Sequence, residues 1–361
     1  MNATKELHEA GQSLWLDNIT RDLVRSGELQ RYIEEYAITG LTSNPTIFDK
    51  AIGEGAAYDE SIRQKTRQGI TGERLFFELA IEDLTAATDL FLPIHQSTGG
   101  LDGWASLEVS PLLAYDTAST IQEAKDLWAR AKRENLFIKI PGTPEGNPAI
   151  EESIFAGVPI NVTLLFSREQ YLASAEAYMR GVERRIAAGL DPVVPSVASI
   201  FISRWDVAIK DQVPEALRNR LGIAIAQRSY KAYRELLASE RWQKLAAAGA
   251  QRQTLLWAST GTKDPNASDV LYIEALAAPE TINTIPESTL LAFANHGVVG
   301  AMMDPNGGDA ERMLAEFTRA GVDIDALALK LQQDGAAAFV KSWHELLRQI
   351  EAKAAALNQA V

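Results

Sequence analysis

Short apolar runs recur along this chain with amphipathic stretches between them, and that alternation leaves few folds open. The runs cover residues 13–17, 37–41, 104–108, 137–140, 159–162, 193–197, 254–258 and 281–285, which makes eight strand candidates. Between them, Ser119-Thr-Ile-Gln122 reads as a capping box, with Ile121, Ala124, Trp128 and Ala131 on the helix face behind it. Ser167-Arg-Glu-Gln170 reads as a second, opening a helix to residue 186. Periodicity marks 218–237 and 335–353 as helical; in the latter, Phe339, Trp343, Leu346 and Ile350 share a face. Strands that alternate with helices run parallel, because parallel neighbours need a crossover. The economical fold is a single (β/α)8 barrel domain over residues 1–361. Extra helices belong in the long connections 55–100 and 206–252, and a helix closes the C-terminus. An open doubly wound sheet is the alternative, but no Gly-rich dinucleotide turn follows the first strand.

Composition narrows the chemistry. With no cysteine, disulfides, thiolate metal sites and cysteine nucleophiles drop out, and a reducing cytoplasm fits. His8, His95, His296 and His344 are far apart and show no metal-ligand spacing, so no metal site is expected. The 48 acids against 35 bases give a net charge of -13, which argues against a nucleic-acid or membrane-surface partner. An anionic small substrate would then need a few local cations or helix N-termini. No apolar run reaches the length of a membrane span, and Met1-Asn-Ala-Thr-Lys-Glu6 has no charged-then-apolar leader, so a cytoplasmic location is expected. Asp304-Pro-Asn-Gly-Gly-Asp309 lacks the ligand order of an EF-hand, and Ser259-Thr-Gly-Thr-Lys263 lacks the two-glycine frame of a P-loop.

In such a barrel the active site lies at the C-terminal ends of the strands. Those ends carry Asp17, Thr42-Ser43-Asn44, Glu108, Lys139, Asn161 with Thr163, Ser199, Ser259 and Thr284. Lys139 is the sharpest of them. In Leu136-Phe-Ile-Lys-Ile-Pro141, alternation turns Phe137 and Lys139 inward and Ile138 and Ile140 outward. Desolvation disfavours a buried ammonium and leaves a free amine able to attack a carbonyl. The plainer reading is a structural ion pair with Glu108 or Asp17, although a buried pair seldom repays its desolvation. Glu108 and Asp17 alternate to the same interior and suit proton transfer at a carbinolamine and at a carbon–carbon cleavage. Direct carboxylate contact would hold the lysine as a cation, so at least one acid is expected to act through a water that Thr163 helps to hold.

Six segments then become recognisable: Gly40-Leu-Thr-Ser-Asn-Pro-Thr-Ile-Phe48, Ser106-Leu-Glu-Val-Ser-Pro111, Leu136-Phe-Ile-Lys-Ile-Pro-Gly-Thr143, Ile160-Asn-Val-Thr-Leu-Leu-Phe-Ser167, Ser196-Val-Ala-Ser-Ile-Phe-Ile-Ser-Arg-Trp-Asp206 and Leu255-Leu-Trp-Ala-Ser-Thr-Gly-Thr-Lys263. Together they resemble the transaldolase family, in the form of its longer bacterial branch. The resemblance implies a (β/α)8 barrel and Schiff-base transfer of a dihydroxyacetone unit between sugar phosphates of the pentose phosphate pathway, without metal or organic cofactor. The donor would be sedoheptulose 7-phosphate, the acceptor glyceraldehyde 3-phosphate, the products erythrose 4-phosphate and fructose 6-phosphate. By position Lys139 matches the Schiff-base lysine, Glu108 and Thr163 the water-holding pair, and Asp17 the general acid/base. Asn44 and Asn161 match the amides that bind the three-carbon unit, and Ser199, Arg204 and Ser259 fall where the family binds substrate around its phosphate.

One departure concerns that phosphate. The better-known branch carries an arginine just after the serine that Ser259 matches; here Gly261 follows, and then Lys263, which reads as the substitute without bidentate geometry or else as a solvated loop lysine. Two rivals stay open. A related fructose 6-phosphate aldolase would typically have Gln at Glu108 and Tyr at Phe201, and this chain has the transaldolase choice at both. A non-catalytic sugar-phosphate-binding barrel would have no use for a buried lysine with two acids. Either a monomer or a homodimer is compatible with the sequence.

Overall fold

The computed structural model describes residues 2–359. Its eight strands are β1 (Gln12–Leu16), β2 (Ile38–Leu41), β3 (Ala105–Glu108), β4 (Leu136–Pro141), β5 (Ile160–Leu165), β6 (Ser196–Phe201), β7 (Gln253–Ala258) and β8 (Thr281–Ile285). They form one parallel sheet in the order β2-β1-β8-β7-β6-β5-β4-β3. The ends of that sheet meet. Gly40 of β2 bridges Trp104 in parallel, with Leu41 N donating to Trp104 O at 2.9 Å and Gly103 N donating to Thr39 O at 3.0 Å. The sheet is therefore a (β/α)8 barrel, as the alternation predicts, and the open doubly wound sheet is ruled out.

Strand alternation sorts the side chains into two layers. Ile138, Ile140, Ile160, Val162, Ala198 and Ile200 point outward into the large core beneath the helices. Trp15, Trp104, Phe137, Val197, Leu256 and Ile282 fill the barrel interior. The Trp104 and Phe137 rings stack at 3.9 Å, with Trp15 at 6.2 Å from Phe137. Below this aromatic layer, Asp102 accepts from Ser13 Oγ at 2.5 Å and from Trp15 Nε1 at 2.9 Å. The lower barrel is thus filled by side chains, a packed core and not a pore.

Several expected boundaries move. The sixth strand is not 193–197 but Ser196–Phe201, because Pro192 and Pro195 supply no N–H to a ladder; the first link is the Pro195 carbonyl accepting from Ile160 N at 3.3 Å. The fifth runs to Leu165 instead of stopping at 162; Leu164 takes a left-handed φ of 56°, and the register slips between Val162 and Leu165. This is a bulge, which re-aims side chains at a barrel rim. The capping box at Ser119 is overturned: the helix is Thr117–Ala131, and Asp116 caps it by accepting from Ser119 N. The box at Ser167 and Gln170 is present as expected. Helices Asp59–Arg67, Gly72–Ser97, Ser203–Ile209, Leu221–Ala238 and Glu240–Ala247 occupy the two long connections. The C-terminal helix, Ile324–Gln359, begins eleven residues before the expected 335: Ile324-Asp-Ala-Leu-Ala-Leu-Lys-Leu331 is apolar on more than one face, with Leu329 exposed, which blurs the helical period.

Closure depends on a missing side chain. A Cβ on Gly40 would lie 2.7 Å from Trp104 O and from the Trp15 indole. Because that neighbour is backbone, the strands must part to admit a methyl. Gly40→Ala is expected to destabilise the chain by about 1–3 kcal/mol, the usual cost of overpacking, read as a lower urea midpoint at unchanged m-value.

Candidate active site

Register sets the site. Glu108, Lys139 and Asn161 are adjacent across β3, β4 and β5, and Thr163 stands beside Pro141 one step higher. Inward orientation at one level brings an acid, an amine and an amide together. Lys139 Nζ donates to the backbone carbonyl of Ser43 at 3.1 Å and stands 3.5 Å from Glu108 Oε2. Both side chains are almost fully buried, at 6% and 4% exposure. The ion pair is thus looser than a charge-assisted hydrogen bond, which closes to below about 3 Å. Neither Glu108 oxygen nor Thr163 Oγ1 has a hydrogen-bond partner among the described residues. Buried polar atoms left in this way are rare and point to a ligand or water.

Asp17, just past β1, accepts from Thr42 Oγ1 at 2.9 Å, and Thr42 in turn contacts Thr284 Oγ1 at 2.7 Å. Burial pushes the Asp17 carboxyl above its ordinary range, opposed by Lys139 and by the Thr42 hydroxyl. Glu108 is raised for the same reason, opposed by Lys139 and reinforced by Asp17. Burial is thus the chief reason each holds a proton to higher pH than it would in water, and for Glu108 the neighbouring Asp17 charge adds to it.

Asp17, Asn44, Lys139, Thr163, Ser199, Phe201, Arg204, Ser259 and Lys263 line a single cleft at the C-terminal mouth of the barrel. Glu108 and Asn161 lie beneath it. Asn161 is tied on both sides, donating to Ser106 Oγ at 3.1 Å and accepting from Ser199 Oγ at 2.7 Å. Asn44 caps the helix Pro45–Glu54 by accepting from Ile47 N, which leaves its NH2 for a ligand. Ser259 sits at a left-handed φ of 54° and pairs with Ser203 Oγ at 2.9 Å.

The sequence comparisons agree with this geometry. A profile of the family described as Transaldolase/Fructose-6-phosphate aldolase matches residues 14–350. A protein from Thiobacillus denitrificans named Transaldolase is 44% identical over 358 residues, covering 97% of this chain and 100% of its own. The Transaldolase of a Parafrankia strain is 43% identical, with 96% of each chain covered. Transaldolase 2 of Nostoc punctiforme is 39% identical, with 99% of each covered. The chain belongs to the transaldolase/fructose-6-phosphate aldolase family.

At the outer end of the cleft of this family member, the two cations differ in setting. Arg204 is partly buried and lies against aromatic faces, its Cζ 5.2 Å from the Phe201 ring centre. Burial pulls its guanidinium down from the usual value, opposed by Glu108 and Asp17, yet arginine stays charged in proteins. Lys263 is exposed at the rim, next to Gly261. Sequence reasoning had no view of three further features: the Ser43 carbonyl that holds Lys139, the Thr42–Thr284 pair behind Asp17, and Phe339, which lines the cleft from the C-terminal helix. Two threonines at strand ends are a weak signal, and a backbone carbonyl gives none.

A raised carboxyl carries a stability consequence of definite sign. The folded state keeps the Asp17 proton above the ordinary value of 3.8, so the stability due to this group falls as pH rises from there towards its folded pKa. Asp17→Asn removes that cost. The variant is expected to melt a few degrees higher than the unaltered chain at pH 7, with the gain shrinking as pH approaches 4. Scanning calorimetry across pH 4–7 checks it, and a variant that melts lower at pH 7 would show that the Asp17 carboxylate is stabilising.

Proposed function

We propose that this barrel is a transaldolase in which Lys139 carries the three-carbon unit. The observation that carries this reading is a buried lysine held by a neutral carbonyl, with a carboxyl at 3.5 Å and a second one sharing the cleft. Lys139 Nζ, as the free amine, adds to the C2 carbonyl of a ketose phosphate and gives a carbinolamine. Loss of water leaves an iminium. Asp17 takes the proton of the C4 hydroxyl, the C3–C4 bond breaks, the aldose phosphate departs, and its electron pair stays with the Lys139-bound enamine. That enamine adds to an incoming aldose phosphate, Asp17 returns the proton to the new hydroxyl, and water releases the product. Glu108 and Thr163 are the partners a water would take for the proton transfers at carbinolamine formation and loss. None of these steps calls on a cofactor. Sedoheptulose 7-phosphate as donor and glyceraldehyde 3-phosphate as acceptor, in a cytoplasmic pentose phosphate pathway, fit the Transaldolase names of the relatives.

Transfer is favoured over simple cleavage by what surrounds the intermediate. Phe201 offers a phenyl face where a hydroxyl could order an attacking water, and Phe166 backs it at 5.4 Å. Glu108, not an amide, stands beside the lysine.

Borohydride with fructose 6-phosphate is expected to fix a three-carbon adduct on Lys139, because reduction traps an imine that otherwise hydrolyses. Peptide mass spectrometry reads it; the added mass on another lysine, or on none, rules out this mechanism.

At the phosphate end, Arg204 offers a fixed two-pronged donor and Lys263 one mobile charge. Arg204→Ala is expected to raise KM for phosphorylated donors more than Lys263→Ala does, with some loss in kcat, since remote binding energy also seats the carbonyl over Lys139. Kinetics on fructose 6-phosphate and on fructose decide it. Unchanged phosphate preference in the Lys263 variant would make that residue a solvated loop lysine.

A further inference from the structure

We propose that the C-terminal helix Ile324–Gln359 holds the phosphate-binding arginine in place, with Phe339 and Gly335 as positioning residues for Arg204. The proposal rests on the function proposed above only in calling that anion a sugar phosphate. Three contacts carry it, and all lie on one face of the helix at spacings of three and four residues. Gln332 Nε2, buried at 4% exposure, donates at 3.0 Å to both Gly142 O and Leu164 O, which pins the helix to the rims of β4 and β5. Gly335 is buried in the helix interior, where glycine is unfavourable relative to alanine. A Cβ there would lie 3.1 Å from Arg204 Nη1 and 3.0 Å from Leu164 Cδ2, so the missing side chain makes room for the guanidinium. Phe339 is 6% exposed, lines the cleft, and places its ring 5.8 Å from Arg204 Cζ, in addition to the contact with Phe201.

The arrangement solves a specific problem. Arg204 stands in a strongly acidic protein, and a carboxylate partner would orient the guanidinium but also neutralise it towards phosphate. No such ion pair is present among the described residues. Aromatic faces attract a cation within about 6 Å of the ring centre without occupying its N–H donors. The two rings and the glycine therefore fix the side chain and leave the donors facing the cleft.

Calorimetric titration with inorganic phosphate tests this without any need for turnover. Arg204→Ala is expected to abolish binding. Phe339→Leu, which keeps bulk but loses the π face, is expected to weaken it about 3- to 10-fold, and Phe339→Tyr to restore it. Gly335→Ala provides a second route, displacing Nη1 with no loss of apolar bulk, and is expected to weaken phosphate binding by a similar factor. In kinetics, the Leu and Ala variants should raise KM for fructose 6-phosphate more than they lower kcat. Phosphate binding unchanged in both variants, or lost equally in Phe339→Leu and Phe339→Tyr, overturns the proposal. Borohydride trapping of dihydroxyacetone by the unaltered chain separately tests Lys139: its failure would sink the Schiff-base reading while the titrations still decide the role of the helix.

Discussion

A lysine and a carboxyl buried 3.5 Å apart, with a second carboxyl in the same cleft, set the terms for this molecule. Placed in direct contact, they would form an ion pair, and the amine would be a cation with no lone pair for a carbonyl. The structure loosens that contact by giving Lys139 a nearer, neutral acceptor. The Ser43 carbonyl holds Nζ at 3.1 Å, and Glu108 stays at 3.5 Å. Ser43 belongs to the segment after β2, while Lys139 is on β4, so this contact exists only because the sheet closes. The Ser43 hydroxyl reinforces the same seam by donating to Ser106 O at 2.7 Å. Barrel closure and the anchoring of Lys139 are thus one structural event.

Closure in turn depends on Gly40 lying flush against Trp104 and Trp15, and on the stacked aromatic layer that fills the barrel beneath the site. That layer keeps water from reaching the lysine from below. It also makes the surroundings of Asp17 and Glu108 poorly solvating, which is why burial is the largest influence on both. Groups held in unfavourable protonation states cost stability, and sites of catalysis are where such costs collect.

The outer end of the cleft obeys a different rule. A chain with net charge -13 cannot attract a sugar phosphate by its general field. It has to do so locally, with a cation kept free of carboxylate partners. Arg204 has no such partner among the described residues and lies against aromatic neighbours, one at the end of β6 and one on a helix far along the chain. Lys263 adds a charge at the exposed rim.

The barrel, its parallel strands and the inward turn of Asp17, Glu108 and Lys139 were legible from period-2 alternation, because each strand reports its own inside and outside, whereas Asn161 and Thr163 were legible only as polar residues at a strand end. Strand ends were less legible where the chain departs from alternation: the prolines before β6 delay pairing, and the bulge at Leu164 lengthens β5 without any mark in the residues themselves. The helix cap at Asp116 outcompeted the Ser119 box because an Asp side chain one turn earlier already satisfies the Ser119 amide. By itself the sequence determined which side chains could face a common interior and what chemistry they could perform. Only the tertiary structure decided what lies opposite them. The Ser43 carbonyl over Lys139, the Thr42 hydroxyl on Asp17 and the Phe339 ring against Arg204 all come from elements distant in the chain, and such contacts depend on closure and packing in three dimensions, which no local period encodes.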